Sequence, residues 1–251
     1  SLATDSYSFI TLNNAYEGLY RLDENNEPVI AGASEDAMVS EDGVVYTIKL
    51  REDAKWSNGE PVTAEDYVFS WQRTVDPATA SNYAYMLAPV KNAAAISDGT
   101  KDKSELGIEA VTSHELKITL EKATPYFKSL LAFPTFFPQS EAVVQEHGDQ
   151  YALTSANAVY NGPFTLEDYD GPGTDIQWTL KKNPEYWDAE SVKLSGVQFD
   201  VVKESSTSYN LYESGQADDI TLSGELAMQN VNHKDYVVQP SATTQYLEMN
   251  Q

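Results

Sequence analysis

Residues 55–73 have the sequence Lys-Trp-Ser-Asn-Gly-Glu-Pro-Val-Thr-Ala-Glu-Asp-Tyr-Val-Phe-Ser-Trp-Gln-Arg, and this stretch decides the fold. Its Asn-Gly pair tolerates positive φ and its proline keeps the preceding residue extended, so the first half predicts a strand end and a turn. Thr63 is a favourable helix N-cap, and Glu65 and Asp66 place negative charge in the first turn. An apolar stripe follows at helical spacing: Ala64, Tyr67, Val68, Trp71 and Val75. We expect an amphipathic helix that packs on a sheet and ends before Asp76-Pro77.

The rest of the chain alternates predicted strands with predicted helices. Alternation of apolar and polar residues predicts strands at 46–50, 111, 116–120, 176–180 and 197–201. The acidic turn at 168–175 makes 164–180 a hairpin with a long loop. Short helices are predicted after the N-caps Thr124 and Ser140 and around 209–212. Interleaved strands and helices predict a mixed α/β fold.

Charge and composition exclude several classes of function. The formal net charge of −23 argues against nucleic acid and anionic lipid as partners, because a polyphosphate ligand requires a basic patch. The chain has no cysteine, which rules out disulfides, thiolate zinc sites and a cysteine nucleophile. No run approaches the roughly 20 apolar residues that span a bilayer, and Ser1 does not open a signal peptide. If the protein is exported, we expect its leader and any lipid anchor to lie outside this sequence.

Catalytic motifs are missing from the sequence. The three histidines, His114, His147 and His233, lie far apart, and the sequence holds no metalloprotease, serine-hydrolase, phosphate-loop or dinucleotide motif. We therefore predict neither an enzyme nor a bound cofactor or metal. With 39 acidic residues a chance carboxylate pair could support glycoside hydrolysis, so that class stays open as an alternative, as does an adhesion or scaffold module.

Aromatic residues have two interpretations. Trp71 and Trp178 fall in periodic patterns and are expected in the core with a polar tip. Tyr83 follows Ala-Ser-Asn without periodicity, so we expect it to face a cleft, since aromatic residues in loops often line binding sites.

Several motifs together resemble one family, the extracellular solute-binding proteins of the oligopeptide-binding type. The resemblance is carried by residues 50–73 and reinforced by Tyr16-Glu17-Gly18-Leu19, Asp76-Pro77-x-Thr79-Ala80-Ser81-x-Tyr83, Asn161-Gly162-Pro163-Phe164, Lys182-Asn183-Pro184-Glu185-Tyr186-Trp187 and Gly215-x-Ala217-Asp218. It extends from about residue 16 to the end of the chain.

The resemblance implies a function and a site. Such proteins capture extended oligopeptides by strand-like main-chain pairing and deliver them to the permease of an ATP-driven (ABC) importer. Tyr83 matches the tyrosine that faces the peptide in this family. Counting back from Glu17 brings the family's pairing edge to Thr4, Asp5 and Ser6, where Asp5 would also hold a basic side chain.

The resemblance also implies an architecture, a periplasmic-binding-protein-like first lobe with an inserted α+β subdomain. Residues 1–18 and 139–251 would form the main subdomain, and residues 19–138 the inserted one. The second ligand-enclosing lobe would lie outside this sequence, so we expect these 251 residues alone to bind peptide weakly.

Relatives of the family bind dipeptides, signalling peptides, sugars or nickel, and these ligands remain alternatives to oligopeptides. The resemblance implies an extracellular location, either anchored at the cell surface by a lipid or periplasmic, and a monomer.

Overall fold

The structure, a computed structural model, is described for residues 3–171 and 177–238. The helices are α1 Ser6–Ala15, α2 Ala64–Val75, α3 Ala93–Ser97, α4 Phe127–Leu130, α5 Glu141–His147, α6 Ser205–Glu213 and α7 Gly224–Gln229. The strands are β1 Tyr20–Leu22, β2 Pro28–Ile30, β3 Met38–Val39, β4 Val45–Lys49, β5 Ile108–Thr112, β6 Glu115–Thr119, β7 Phe164–Glu167, β8 Gln177–Lys182 and β9 Gly196–Asp200. Short 3₁₀ turns, among them Ala84–Leu87 and Pro134–Phe136, connect several of them. The predicted mixed α/β class is confirmed.

Helix α2 begins and ends where the sequence predicts. The Asp66 carboxylate accepts hydrogen bonds from the Thr63 N–H (2.9 Å) and the Thr63 hydroxyl (3.3 Å). These bonds form a capping box, which supplies partners for donors that a helix start leaves unpaired. The same carboxylate accepts the Trp56 indole N–H at 3.2 Å. At the other end, Asp76 adopts extended dihedrals and Pro77 stops the helix.

The predicted apolar stripe of α2 forms the centre of the core. Ala64, Tyr67, Trp71 and Val75 are each at most 1% exposed. Trp71 donates its indole N–H to the Phe136 carbonyl oxygen at 2.9 Å, and the two rings meet edge to face at 5.2 Å. Helix α2 packs against β5 and against the turn Pro134–Phe136, so it joins the sheet to the proline-rich segment 133–138.

The sheet under α2 has four antiparallel strands in the order β3-β4-β6-β5. Ile48 lies opposite Leu116 and Tyr46 opposite Ile118, so the alternating residues of both predicted strands share one buried face. A second sheet has the order β7-β8-β9, with Phe164 opposite Lys182. The strands of the predicted hairpin at 164–180 pair as β7 and β8, and the strand predicted at 197–201 corresponds to β9, while residues 172–176 of the predicted hairpin lie outside the described residues. Strand β1 pairs with β2 in a separate ribbon.

One helix starts later than predicted. The sequence favours Thr124 as an N-cap, but the Thr124 hydroxyl donates to the Lys122 carbonyl oxygen at 3.1 Å, and α4 begins at Phe127 after a turn. That prediction is wrong, because the hydroxyl finds a nearer partner two residues back. The Ser140 prediction is confirmed, since its side chain accepts from the Val143 N–H and α5 ends at Gly148.

The chain divides into two compact units, Ser1–Phe199 and Asp200–Gln251. The first contains both larger sheets and helix α2. Within the described part of the second, α6 carries Tyr212, whose hydroxyl donates to Asp235 at 2.9 Å. The division into subdomains 1–18 with 139–251 and 19–138 stays a prediction. In residues 3–171 and 177–238 no helix combines the length and the apolar character that crossing a membrane requires.

Gly162 allows a close backbone approach that explains the Asn-Gly-Pro-Phe motif. Its N–H donates to the Ala15 carbonyl oxygen at 2.9 Å, and a Cβ at this position would lie 2.6 Å from both the Ala15 carbonyl carbon and the Tyr16 nitrogen. We expect Gly162→Ala to lower the free energy of unfolding by about 2–3 kcal/mol, because backbone atoms yield less than side-chain ends. Urea unfolding monitored by circular dichroism measures the change.

Gly99→Ala serves as the control, since a Cβ there meets no atom within 4 Å and the cost is limited to the backbone conformation at φ +72°. We expect that control to lose about 1 kcal/mol. Equal losses in the two variants would contradict a packing role for Gly162.

Candidate functional site

Tyr83 lies in the loop between α2 and the 3₁₀ turn Ala84–Leu87, and contacts of Asp76 fix the start of this loop. Asp76 accepts the Ala78 N–H at 2.9 Å and the Lys103 ammonium at 2.7 Å, and Ala80 turns the chain with φ +52°. The 3₁₀ turn Ala84–Leu87 follows, anchored by Leu87, which is fully buried. Tyr83 is half-buried between these two fixed points. Its side chain is therefore held in place and partly open to solvent, and its facing a ligand cleft stays a prediction.

Three other aromatic rings surround Tyr83. Phe9 of α1 meets it edge to face with centroids 5.5 Å apart, and Phe133 lies against it at 5.7 Å. Tyr85 stacks on it at 5.9 Å with an interplanar angle of 29°. We call Phe9, Tyr83, Tyr85 and Phe133 the four-ring cluster. Sequence reasoning singled out Tyr83 and not its neighbours: Phe9 and Phe133 come from distant segments, whereas Tyr85 is two residues away.

The predicted pairing edge at Thr4, Asp5 and Ser6 has a different local structure. Asp5 is extended, with φ −110° and ψ 156°, but Ser6 is the first residue of α1. The Asp5 carboxylate caps that helix by accepting the Ser8 N–H at 2.9 Å and the Ser8 hydroxyl at 2.6 Å. The expectation of an extended edge through Ser6 is corrected, since the capping bonds favour a helix start here. Ligand contact by these three residues stays a prediction.

Helix α1 nevertheless connects Asp5 with the neighbourhood of Tyr83, the other predicted site residue. The Phe9 N–H donates to the Asp5 carbonyl oxygen at 3.1 Å, so one helical turn separates Asp5 from the ring that touches Tyr83. One turn plus one ring contact places Asp5 and Tyr83 on the order of 10 Å apart. Hydrogen bonds from Ser8 hold the pKa of the Asp5 carboxyl below its ordinary value of 3.8, so this group is an anion at neutral pH.

A large, mostly apolar cavity lies beside α1. It has a volume of about 560 Å³, and its lining includes Asp5, Tyr7, Arg73, Tyr151, Tyr160 and Trp178. Trp178 is half-buried and stacks on Phe199 at 5.1 Å, and its buried indole N–H has no hydrogen-bond partner within residues 3–171 and 177–238. The prediction that Trp178 lies in the core is therefore wrong, and its polar tip is unpaired among these residues. Asp5 is the one carboxylate in the lining that the structure describes, whereas glycoside hydrolysis requires two.

A buried carboxylate that the sequence did not single out connects distant segments. Glu17 is 5% exposed and accepts hydrogen bonds from the Tyr186 hydroxyl at 2.7 Å and the Trp187 indole N–H at 2.6 Å. Arg21 lies 3.4 Å from the same carboxylate, and the Arg51 guanidinium stacks over the Trp187 ring at 3.5 Å. We call these five residues the Glu17 cluster.

The backbone of Glu17 is held as tightly as its side chain. The Asn161 side chain accepts the Glu17 N–H at 3.1 Å and donates to the Glu17 carbonyl oxygen at 2.9 Å. Burial raises the pKa of the Glu17 carboxyl above its ordinary value of 4.5, against the opposing hydrogen bonds from Trp187 and Tyr186. All these partners hold Glu17 in place, and we assign it a structural role.

The histidines and acidic residues do not assemble into a metal site within the ranges described. Among these residues, no three side chains of the metal-binding types come close enough together to hold an ion.

Comparison with known proteins identifies the family to which the chain is similar. The family model described as "Bacterial extracellular solute-binding proteins, family 5 Middle" matches residues 27–251. A dipeptide-binding protein of Lactococcus lactis is 39% identical over 254 residues, covering 100% of this chain and 46% of its own length. The oligopeptide-binding protein OppA of Bacillus subtilis is 34% identical over 217 residues, covering 86% of this chain and 39% of its own length.

Solved structures agree with this match. The chain is 51% identical to Listeria monocytogenes OppA bound to peptide, with a TM-score of 0.90, covering 94% of this chain and 46% of that one. It is 41% identical to the pheromone receptor PrgZ, with a TM-score of 0.91 and the same coverage. The chain thus spans less than half the length of these proteins. On these matches, it belongs to the bacterial extracellular solute-binding proteins of family 5.

Proposed function

We propose that this chain is part of the substrate-binding component of an ABC importer, which captures extended oligopeptides and delivers them to the membrane permease. The observation that carries the proposal is its similarity to a peptide-bound OppA, at 51% identity and a TM-score of 0.90. The family consists of solute-binding proteins. We propose accordingly that the chain alters no bond of its ligand and uses no cofactor.

The candidate site supports peptide as the ligand. Tyr83 offers a fixed, partly exposed aromatic ring, and Asp5 offers an anion about one helical turn from that cluster. An aromatic surface beside a charged group suits a ligand that carries both apolar side chains and a charged amine. We propose that Tyr83, Thr4, Asp5 and Ser6 contact the peptide.

The proposed subdomains meet at the Glu17 cluster. Glu17 belongs to the proposed main subdomain 1–18 with 139–251, together with Tyr186 and Trp187. Arg21 and Arg51 belong to the proposed inserted subdomain 19–138. The contacts between the two parts, Arg21 with Glu17 at 3.4 Å and Arg51 over the Trp187 ring at 3.5 Å, would fix their relative position, so that Tyr83 on one and Asp5 on the other form a single site.

The family name supports a location outside the cytoplasmic membrane. We propose that the protein is exported, held at the cell surface by a lipid anchor or free in a periplasm, and monomeric.

Peptide binding by the complete protein that the gene encodes tests the proposal. Isothermal titration with peptides of two to nine residues is expected to show binding, and Tyr83→Ala is expected to weaken it roughly three- to tenfold through lost aromatic contact. Tyr83→Phe keeps the ring and should bind nearly as well as the wild type. Tyr126→Ala is the matched control, because Tyr126 is 61% exposed and lies outside the four-ring cluster.

The ligand panel should also include deoxycholate, since a relative from Escherichia coli that is 39% identical over 205 residues is named a probable deoxycholate-binding protein. Binding of deoxycholate without binding of any peptide would refute the proposal. An unchanged affinity in Tyr83→Ala would remove Tyr83 from the site.

A further inference from the structure

Tyr85 is the outermost ring of the four-ring cluster. It is 69% exposed, while Tyr83 behind it is half-buried. It belongs to the 3₁₀ turn Ala84–Leu87, whose buried Leu87 fixes the turn on the core. The Tyr85 side chain is therefore largely exposed to solvent, while its backbone is fixed by the buried Leu87.

The stacking geometry decides which ring a guest can reach. Tyr85 lies on Tyr83 with an interplanar angle of 29° and centroids 5.9 Å apart, so it covers part of one face of Tyr83. Phe9 approaches Tyr83 edge to face at 84°, and Phe133 lies against it at a tilt of 41°. With neighbours on three sides, Tyr83 leaves only part of its ring open to a guest, whereas Tyr85 exposes most of its side chain.

We infer that Tyr85 determines specificity for one position of the bound peptide, by stacking on a planar ring side chain of the guest. The inference rests on the proposed function and deepens it. Its expected ligands are peptides with phenylalanine, tyrosine, tryptophan or proline at that position.

The physical argument favours a ring over an aliphatic side chain. Aromatic rings gain from offset stacking beyond the area that they bury, and the face of Tyr85 is already oriented by its contact with Tyr83. A guest ring placed there continues the stack with little further loss of freedom on the protein side. An aliphatic side chain would bury area without the stacking contribution.

A scan of one aromatic residue along a polyalanine peptide tests the inference in the complete protein. Pentapeptides with a single phenylalanine at each position are compared with the all-alanine peptide by isothermal titration. We expect one position at which phenylalanine strengthens wild-type binding roughly three- to tenfold, the range that an aromatic pair supplies. The gain should persist in Tyr85→Phe and disappear in Tyr85→Ala and Tyr85→Leu.

The outcomes distinguish the role of Tyr85 from the proposed binding of peptide. Loss of the gain at one position, with all-alanine binding unchanged, supports the role of Tyr85. Wild-type binding with no position that depends on Tyr85, or equal weakening of every peptide in Tyr85→Ala, overturns this inference and leaves the proposed function standing. Wild-type protein that binds no peptide overturns both. Tyr85→Leu separates stacking from mere apolar bulk, and since residue 85 is exposed, melting temperatures of all three variants should match the wild type.

Discussion

Replacing Trp71 with alanine is expected to lower the free energy of unfolding by about 3–5 kcal/mol, the range for deleting a fully buried large aromatic side chain. The ring is fully buried and contacts Phe136 edge to face at 5.2 Å. The substitution also leaves the Phe136 carbonyl oxygen without the indole N–H that now lies 2.9 Å away. The cavity and the unpaired carbonyl would both sit between α2 and the segment 133–138.

Urea unfolding followed by far-ultraviolet circular dichroism measures this loss. Trp71→Phe keeps most of the ring and removes the hydrogen bond, so we expect a smaller loss of about 1–3 kcal/mol. Trp178→Ala is the matched control, because Trp178 is half-buried and its indole N–H has no partner among the residues that the structure describes. A loss in Trp71→Ala no larger than in Trp178→Ala would show that α2 is not the centre of the core.

Replacing Glu17 with alanine is expected to cost about 3–5 kcal/mol. The change leaves the Tyr186 hydroxyl and the Trp187 indole N–H without the acceptor that they now share at 2.7 and 2.6 Å. A buried donor left unsatisfied costs about 1–3 kcal/mol, and here there are two. Arg21 also loses the carboxylate 3.4 Å away, which adds less because its side chain is half exposed.

Glu17→Gln separates the charge from the hydrogen bonds and gives a pH dependence of known sign. Burial raises the pKa of Glu17 in the folded state above its ordinary value of 4.5. The folded state therefore holds this proton more tightly than the unfolded state. Its contribution to stability is complete below the unfolded pKa and is lost as the pH rises through the raised folded value.

Wild type should accordingly lose stability relative to Glu17→Gln as the pH rises above about 4.5, the ordinary pKa of the carboxyl. Subtracting the two urea-unfolding curves at each pH cancels the other titrating groups, including the aspartates whose pKa values are lowered. A difference that does not change with pH, or that changes in the opposite direction, would contradict a carboxylate whose burial outweighs its hydrogen bonds.

The sequence predicts those parts of the fold whose causes are local. Thr63 and Asp66 cap α2 from three residues apart, and the alternation in β4 and β6 appears within five residues of each strand. Such patterns lie within a few consecutive residues, so the structure that they predict does not depend on contacts with distant parts of the chain. Ser140 and Gly148 bound α5 for the same reason.

The site could be predicted only in part, because its contacts join distant residues. Glu17 meets Tyr186 and Trp187 across 169 and 170 residues, and no local pattern marks that meeting. The four-ring cluster joins α1, the loop at Tyr83 and the segment before Pro134, so Tyr83 could be proposed from its local context while Phe9 and Phe133 could not. At the amino-terminal end, Asp5 is a favourable N-cap residue three positions before Ser8, and this local pattern already indicates the helix that begins at Ser6.

The indole N–H groups of this protein have four different surroundings: the Asp66 carboxylate for Trp56, a peptide carbonyl for Trp71, the Glu17 carboxylate for Trp187, and, within the described part of the chain, no acceptor for Trp178. Indole emission depends on such neighbours, so each fluorophore should have its own wavelength and lifetime. Four proteins that each retain a single tryptophan would then act as optical sensors of separate regions, without any attached dye. Emission from Trp187, whose ring lies under the Arg51 guanidinium of the other proposed subdomain, would report whether the two proposed subdomains separate during unfolding.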